Sequence, residues 1–360
     1  MTVYLMAGGG TAGHVNPMIA IADALRERDA SAEILMLGTA EGLEARLVPA
    51  AGYELITIEK LPFPRRLTAS ALTFPVRWRR AVRAVRDVIV RRHVDVVVGV
   101  GGYASAPAYA AARAQRIPIV IHEANARPGL ANRLGSRWTH FVGIAIPGTP
   151  LRDARLVGMP LRAEFEHLVD PASRAELRRS FGLDPDALTL VVTGGSLGAR
   201  SINGAVSAAV PDLRSAGVQI LHITGRQTAP IGSQAHGHVV LEYCDRMRDA
   251  LACADLVVSR AGSSTVSELA ALGVPAVFVP YPVGNGEQRF NALPLVDAGG
   301  AVLVPDGEFT PAWIRENALP LLLDTARLNE MASVSASVGI RDGRARMLDL
   351  IDEAMAPLTK

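Results

Sequence analysis

Residues 3–28 run VYLMAGGGTAGHVNPMIAIADALRER. Five apolar residues, 3–7, predict a short buried strand, and the apolar period over residues 17–28 predicts a helix. Between them lies Gly8-Gly9-Gly10-Thr11-Ala12-Gly13-His14. Gly8, Gly10 and Gly13 fit the G-x-G-x-x-G pattern of a dinucleotide site in the right strand-to-helix setting. Such a fold wants an acid ending its second strand, and the apolar run 34–37 ends instead in Gly38-Thr39. The glycine spacing also suits a P-loop, but His14-Val15 stand where Lys and Ser/Thr belong. What remains is a glycine loop able to cradle phosphate or sugar, with an imidazole at its edge.

The same unit recurs along the chain. Residues 94–98 read as a strand running into Gly99-Val100-Gly101-Gly102-Tyr103 and a small-residue helix, and residues 117–121 as a strand running into His122-Glu123-Ala124-Asn125. In a parallel sheet the C-terminal strand ends face the ligand crevice. Three such ends therefore bring His14, Glu123 and Tyr103 together as candidates for a general base or its orienter. After a hinge-like stretch at 156–162 the pattern restarts, with a strand at 188–193, Gly194-Gly195-Ser196-Leu197-Gly198, and a helix at 199–210. This internal echo predicts an α/β protein of two facing Rossmann-like domains with parallel sheets. Ser196 reads as a phosphate ligand at a helix start. The alternative G-x-S-x-G elbow of a hydrolase lacks later Asp and His partners at strand ends.

Residues 256–292 are site-like as well: strand, small-residue turn, short helix, second strand and polar loop. N–H groups at the helix start suit an anion, and Glu268 lies one turn further on. The D-x-D of Asp184-Pro185-Asp186 falls in a turn before a strand, so no metal site is expected.

At 360 residues two cores are expected, and no apolar run approaches the length of a membrane span. Two cysteines exclude a disulfide framework, and the start of the chain lacks the features of a signal peptide, so a cytosolic compartment is expected. The net charge of +2 hides a division, with +8 on residues 1–160 and −6 on 161–360. One half is therefore expected to meet an anionic surface. Between Arg65 and Arg92 stand nine arginines and one acid, Asp87, interleaved with Phe63, Leu72, Phe74 and Trp78. Apolar side chains beside Arg79 and Arg80 suit insertion into an anionic membrane surface. No nucleic-acid motif accompanies them, so nucleic acid is not expected as a partner. The competing reading is a helix whose Val82, Val85, Val88 and Ile89 simply face the core.

Gly9 to His14, Gly101-Gly102-Tyr103, His122 to Asn125, Gly194 to Arg200 and Thr265-Val266-Ser267-Glu268 occur in that order. Together they resemble the MurG family of GT-B glycosyltransferases over nearly the whole chain. The resemblance implies transfer of N-acetylglucosamine from UDP-GlcNAc to polyprenyl-linked lipid I, giving lipid II, by inversion and without metal or cofactor. It implies a deep interdomain cleft and a peripheral position on the cytoplasmic face of the cell membrane, against the anionic inner leaflet. The domains expected are residues 1–160 with 341–360, facing acceptor and membrane, and 161–340, holding the donor. By similarity Glu268 would hold the ribose, and Ser196, Ser263 and Thr265 the pyrophosphate. Gln288 and Asn291 would read the sugar, the backbone at Cys244 the uracil, and Thr11, Ala12, Gly13, Asn125 and Arg162 would complete the donor pocket. Three positions depart from the family pattern: Ala12 for a common Gly, Met159 for Asn, and Glu287 for Gln beside Gln288. An ionised Glu287 cannot donate a hydrogen bond to a sugar hydroxyl. A UDP-GlcNAc 2-epimerase would share the donor residues, and a dinucleotide oxidoreductase only the first glycine loop.

Overall fold

The computed structural model describes residues 1–64, 69–195, 198–226, 237–283 and 286–356. It divides into two compact units, Met1–Ala163 with Asp342–Lys360, and Glu164–Arg341. The first is built on seven strands: β1 (Val3–Ala7), β2 (Glu33–Gly38), β3 (Glu54–Thr57), β4 (Val96–Gly99), β5 (Ile119–Glu123), β6 (Phe141–Ile144) and β7 (Ala154–Leu156). They form one sheet in the order β3-β2-β1-β4-β5-β6-β7, and every pairing is parallel. The second holds β8 (Thr189–Thr193), β9 (Gln219–Ile223), β10 (His238–Leu241), β11 (Leu256–Ser259), β12 (Ala276–Phe278) and β13 (Ala301–Leu303). Their order, β10-β9-β8-β11-β12-β13, repeats the winding of the first sheet, again with parallel pairings. Both orders reverse direction beside the first strand of the unit, between β1 and β4 and between β8 and β11. Those are the switch points where open α/β sheets bind ligands.

Helices cover both faces of each sheet, so a central strand such as β1 is apolar on both sides instead of alternating. In β1, Tyr4 and Met6 join the layer that includes Ile21 and Leu25, while Val3, Leu5 and Ala7 join the one that includes Val85 and Tyr109. In the second unit Leu190, Val192, Ile202, Val206, Ile220 and Val258 share a core. The helix Gly343–Met355 closes the first unit, burying Met347, Leu350 and Ile351. Each such side chain contributes about 1.5–3 kcal/mol, more than the exposed Arg28–Asp352 pair beside it. Gly343 is needed there, because a Cβ would stand 2.3 Å from the Met159 carbonyl oxygen.

Two local differences from the sequence reading are physical. The first helix is Ala12–Arg28, starting five residues before the expected position 17. Gly9 and Gly10, at φ +138 and +94, complete the turn by themselves, so Pro17 falls within the helix. The basic segment contains one helix, Ala69–Arg91, whose two halves differ in burial. Ala81, Val85, Val88 and Ile89 are buried in its C-terminal half, whereas Leu72 and Val76 are 83% and 61% exposed.

Candidate active site

In the first unit the C-terminal ends of β1, β4 and β5 gather the expected catalytic candidates. Thr11 caps the helix Ala12–Arg28 in extended geometry, and its hydroxyl lies 3.2 Å from His14 Nδ1. The ring packs on Gly101, where an added Cβ would stand 3.2 Å from His14 Cδ2 and Nε2. Burial lowers the His14 pKa from its ordinary value, opposed by Glu123, the Gly9 carbonyl and Glu44. The imidazole is therefore neutral at neutral pH and able to accept a proton. Tyr103 is 39% exposed, approaches Gly10, and has the Lys60 ammonium 5.4 Å from its ring centroid.

Glu123 is differently placed. It is 2% exposed, with Oε1 accepting from Asn125 N at 2.9 Å and Oε2 from Gly129 N at 3.0 Å and Asn132 Nδ2 at 2.9 Å. Asn132 also donates to the His122 carbonyl and accepts from the Tyr109 hydroxyl at 2.7 Å. The carboxylate thus folds the 123–132 segment and places Asn125. Its lone pairs are already engaged, so it acts on the site as a positioning group and an anion near His14. The neighbouring His122 points to the opposite side of β5, where Nε2 donates to the Gly158 carbonyl at 2.9 Å. Burial depresses its pKa to about 4.

In the second unit the turn after β11 feeds the helix Ser263–Leu272, which starts at Gly262 with no side-chain cap. Gly262 cannot satisfy the first-turn N–H groups, leaving them for a ligand. Ser263 is buried; Thr265 and Glu268, three residues apart, share a helix face. Asn291 Nδ2 reaches the Ala261 carbonyl at 3.4 Å, so the helix Glu287–Ala298 is tied to the same turn. Gln288 Oε1 accepts from Tyr281 N at 2.9 Å. The loop after β8 is tight: Gly195 and Gly198 have positive φ, and Gly198 N donates to the Gly195 carbonyl at 2.9 Å. Ser196 lies outside the described residues. Cys244 lines a surface cavity of about 570 Å³ with Phe181, Val239 and Tyr243. Burial raises its thiol pKa, which disfavours the reactive thiolate. Asp184 Oδ1 accepts from Asp186 N at 2.8 Å, an ordinary turn contact. Arg162 is exposed, after β7 in the first unit.

Models of the Glycosyltransferase family 28 N-terminal and C-terminal domains match residues 4–144 and 189–347. A UDP-N-acetylglucosamine–N-acetylmuramyl-(pentapeptide) pyrophosphoryl-undecaprenol N-acetylglucosamine transferase of Leifsonia xyli subsp. xyli is 58% identical, with 98% of each chain covered. The chain belongs to the MurG family of glycosyltransferases. A transferase of the same name from Streptomyces coelicolor is 48% identical over 98% of each chain. The crystal structure of Acinetobacter baumannii MurG superposes with a TM-score of 0.80 at 28% identity, covering 98% of this chain and all of the other. This is the GT-B fold. A Neisseria meningitidis UDP-GlcNAc 2-epimerase bound to UDP-GlcNAc, at 14% identity and a TM-score of 0.68, shares that fold.

Two structurally placed residues, one in each unit, escape a motif reading. Arg260 ion-pairs with Asp306, donates to Ser201 Oγ at 3.0 Å and to the Val279 carbonyl at 3.0 Å, and so staples the ends of β11 and β12 to the helix Arg200–Ser215. Glu44 accepts the Gly10 N–H at 2.7 Å and thereby occupies a donor that the glycine fingerprint would have offered to a pyrophosphate. Neither could be found from spacing, because each acts across loops remote in sequence.

Proposed function

We propose that this chain transfers N-acetylglucosamine from UDP-GlcNAc to the C4 hydroxyl of lipid I, undecaprenyl-pyrophosphoryl-N-acetylmuramyl-pentapeptide, in one inverting displacement that gives lipid II. The observation that carries the reading is identity of 48–58% to transferases so named, running through 98% of the chain. The residues fit the chemistry. A neutral His14 takes the proton of the attacking hydroxyl. The leaving UDP gains charge, and the uncapped start of the helix Ser263–Leu272, with Ser263, Thr265 and Ser196, holds it without a metal ion. Glu268 holds the ribose, Gln288 and Asn291 the sugar, and the cavity at Cys244 the uracil. Thr11, Ala12, Gly13, Asn125 and Arg162 complete the binding of the reacting groups.

Incubation with UDP-GlcNAc and a short-chain lipid I analogue should release UDP only when the acceptor is present. Sugar epimerisation without acceptor would instead establish the epimerase reading, and tight NAD(H) binding the oxidoreductase one.

The acceptor's polyprenyl chain requires a membrane surface, and we assign that contact to the cytoplasmic leaflet through residues 63–80. Phe63, Phe74 and Trp78 form one aromatic cluster with centroids 5.6–6.0 Å apart. Leu72, Arg79 and Arg80 of the same helix are exposed. Among the described residues no helix is long and apolar enough to cross a membrane, so the contact proposed is peripheral. Because Phe74 and Trp78 hold the cluster together, exposed Leu72 and Val76 are the cleaner test. Replacing both by Ser should weaken binding to anionic vesicles by roughly 10-fold or more, at about 1 kcal/mol per inserted side chain. Activity on a soluble acceptor analogue should be unchanged; unaltered vesicle binding would reject the assignment.

A further inference from the structure

Three glycines of the first unit surround a single side chain. An added Cβ would stand 2.3 Å from Glu44 Oε1 at Gly9, 2.0 Å from Oε2 at Gly42, and 2.5 Å from Cγ at Gly38. The side chain they admit is fully buried. Its carboxylate accepts three hydrogen bonds, from Thr39 N at 2.9 Å, Thr39 Oγ1 at 2.8 Å and Gly10 N at 2.7 Å. A buried carboxylate is expensive to desolvate unless its oxygens are hydrogen-bonded, as these are. Burial raises its pKa, but the bonds from Gly10 and Thr39 outweigh this and leave it below the ordinary carboxylate value. It therefore stays charged.

What it grips is the turn that carries the candidate base. Gly9 and Gly10 adopt positive φ, and the Gly9 carbonyl oxygen comes so close to Gly102 that a Cβ there would stand 2.4 Å away. The loop is thus clamped between Glu44 on one side and the Gly101-Gly102 turn on the other. His14 packs on Gly101 and is held by Thr11, one residue past the Gly10 N–H that Glu44 binds. We propose that Glu44 is a positioning residue for the transfer: its buried carboxylate fixes the Gly9-Gly10 turn and, through it, the place and proton affinity of His14. The proposal rests on the reading of His14 as base. The charged and titratable groups acting on His14 are Glu123 from β5 and Glu44 from the helix Glu44–Ala50, with His122 turned to the other side of β5 and Tyr103 and Lys60 in contact with each other near Gly10.

Glu44→Gln keeps the shape but turns an amide N–H toward one of the three donors and removes the charge. Its kcat should fall about 10- to 100-fold, as a misplacement of about 1 Å would produce. UDP-GlcNAc affinity should change little, while Tm should fall by roughly several degrees, the cost of one mismatched buried hydrogen bond. In the same variant the His14 imidazole, followed by NMR, should titrate at lower pH than in the wild type, because a stabilising anion is gone. The acid limb of kcat/KM should move with it. Gly42→Ala, whose methyl would stand 2.0 Å from the Glu44 Oε2 that accepts the Gly10 N–H, should reproduce the loss of kcat and serves if Glu44→Gln does not fold. Wild-type kcat with an unmoved His14 titration in the folded variants would overturn the proposal. Normal turnover in His14→Ala, with a shifted His14 titration in Glu44→Gln, would leave the loop role standing and remove the base reading instead.

Discussion

His14→Ala should lower kcat by about two to four orders of magnitude, the range a positioned general base supplies, while equilibrium binding of UDP-GlcNAc stays within a few-fold of wild type. The split follows from where the residues lie. His14 belongs to the first unit, whereas the groups assigned to ribose, pyrophosphate and sugar, Glu268, Ser263, Thr265, Gln288 and Asn291, all belong to the second. Neutral imidazole is the competent form, so the rate should fall as pH drops through the His14 pKa. Burial sets that pKa below the ordinary 6.5, which places the acid limb below pH 6.5 as well. Removing the imidazole should abolish that limb along with most of the rate. Turnover near wild type, or an acid limb that survives the substitution, would take the role from His14. Tyr103, exposed beside Gly10, would be next to test; Glu123 would not, because Asn125, Gly129 and Asn132 already occupy its oxygens.

The contrast between His14 and Glu123 illustrates what a sequence can disclose. Strand, glycine loop and helix follow each other locally, so the convergence of Gly8 to His14, Gly101 to Tyr103 and His122 to Asn125 at strand ends is readable from periodicity and turn chemistry. The repeat of that unit after residue 188 makes two parallel-sheet domains readable too. Which of the gathered groups is free to react depends on partners distant in the chain. Asn132 holds Glu123 from nine residues away, and Glu44 holds Gly10 from thirty-four. The missing acid after the second strand shows the same thing. Residues 38 and 39 offer none, yet Glu44 arrives six residues past the end of β2 and binds the loop instead of a ribose. Short strands such as β3, β7 and β13 carry too few residues to show a period and emerge only from their pairing in the sheet.

Glu268→Ala should weaken UDP-GlcNAc binding by roughly 10- to 150-fold, the loss of about 1.5–3 kcal/mol expected when a charged acceptor of hydrogen bonds is removed. A carboxylate close to a pyrophosphate repels it, so Glu268 can serve a nucleotide-sugar only if its charge meets donors and the phosphates meet something else. On the proposed assignment the helix Ser263–Leu272 separates the two tasks. Its first-turn N–H groups and the positive end of its dipole lie at Gly262 to Thr265, while Glu268 stands nearly a turn further in, where ribose hydroxyls can donate to it. The loss should therefore appear for UDP-GlcNAc and for UDP alike, and should be much smaller for inorganic pyrophosphate, which has no ribose. At saturating donor kcat should change far less than KM, because a ground-state contact far from the anomeric carbon is equally present in the transition state. Glu268→Gln keeps one accepting oxygen and should fall between wild type and Glu268→Ala. Donor affinity unchanged in both variants would remove Glu268 from the ribose; equal losses for pyrophosphate and UDP would move it to the phosphate end of the helix.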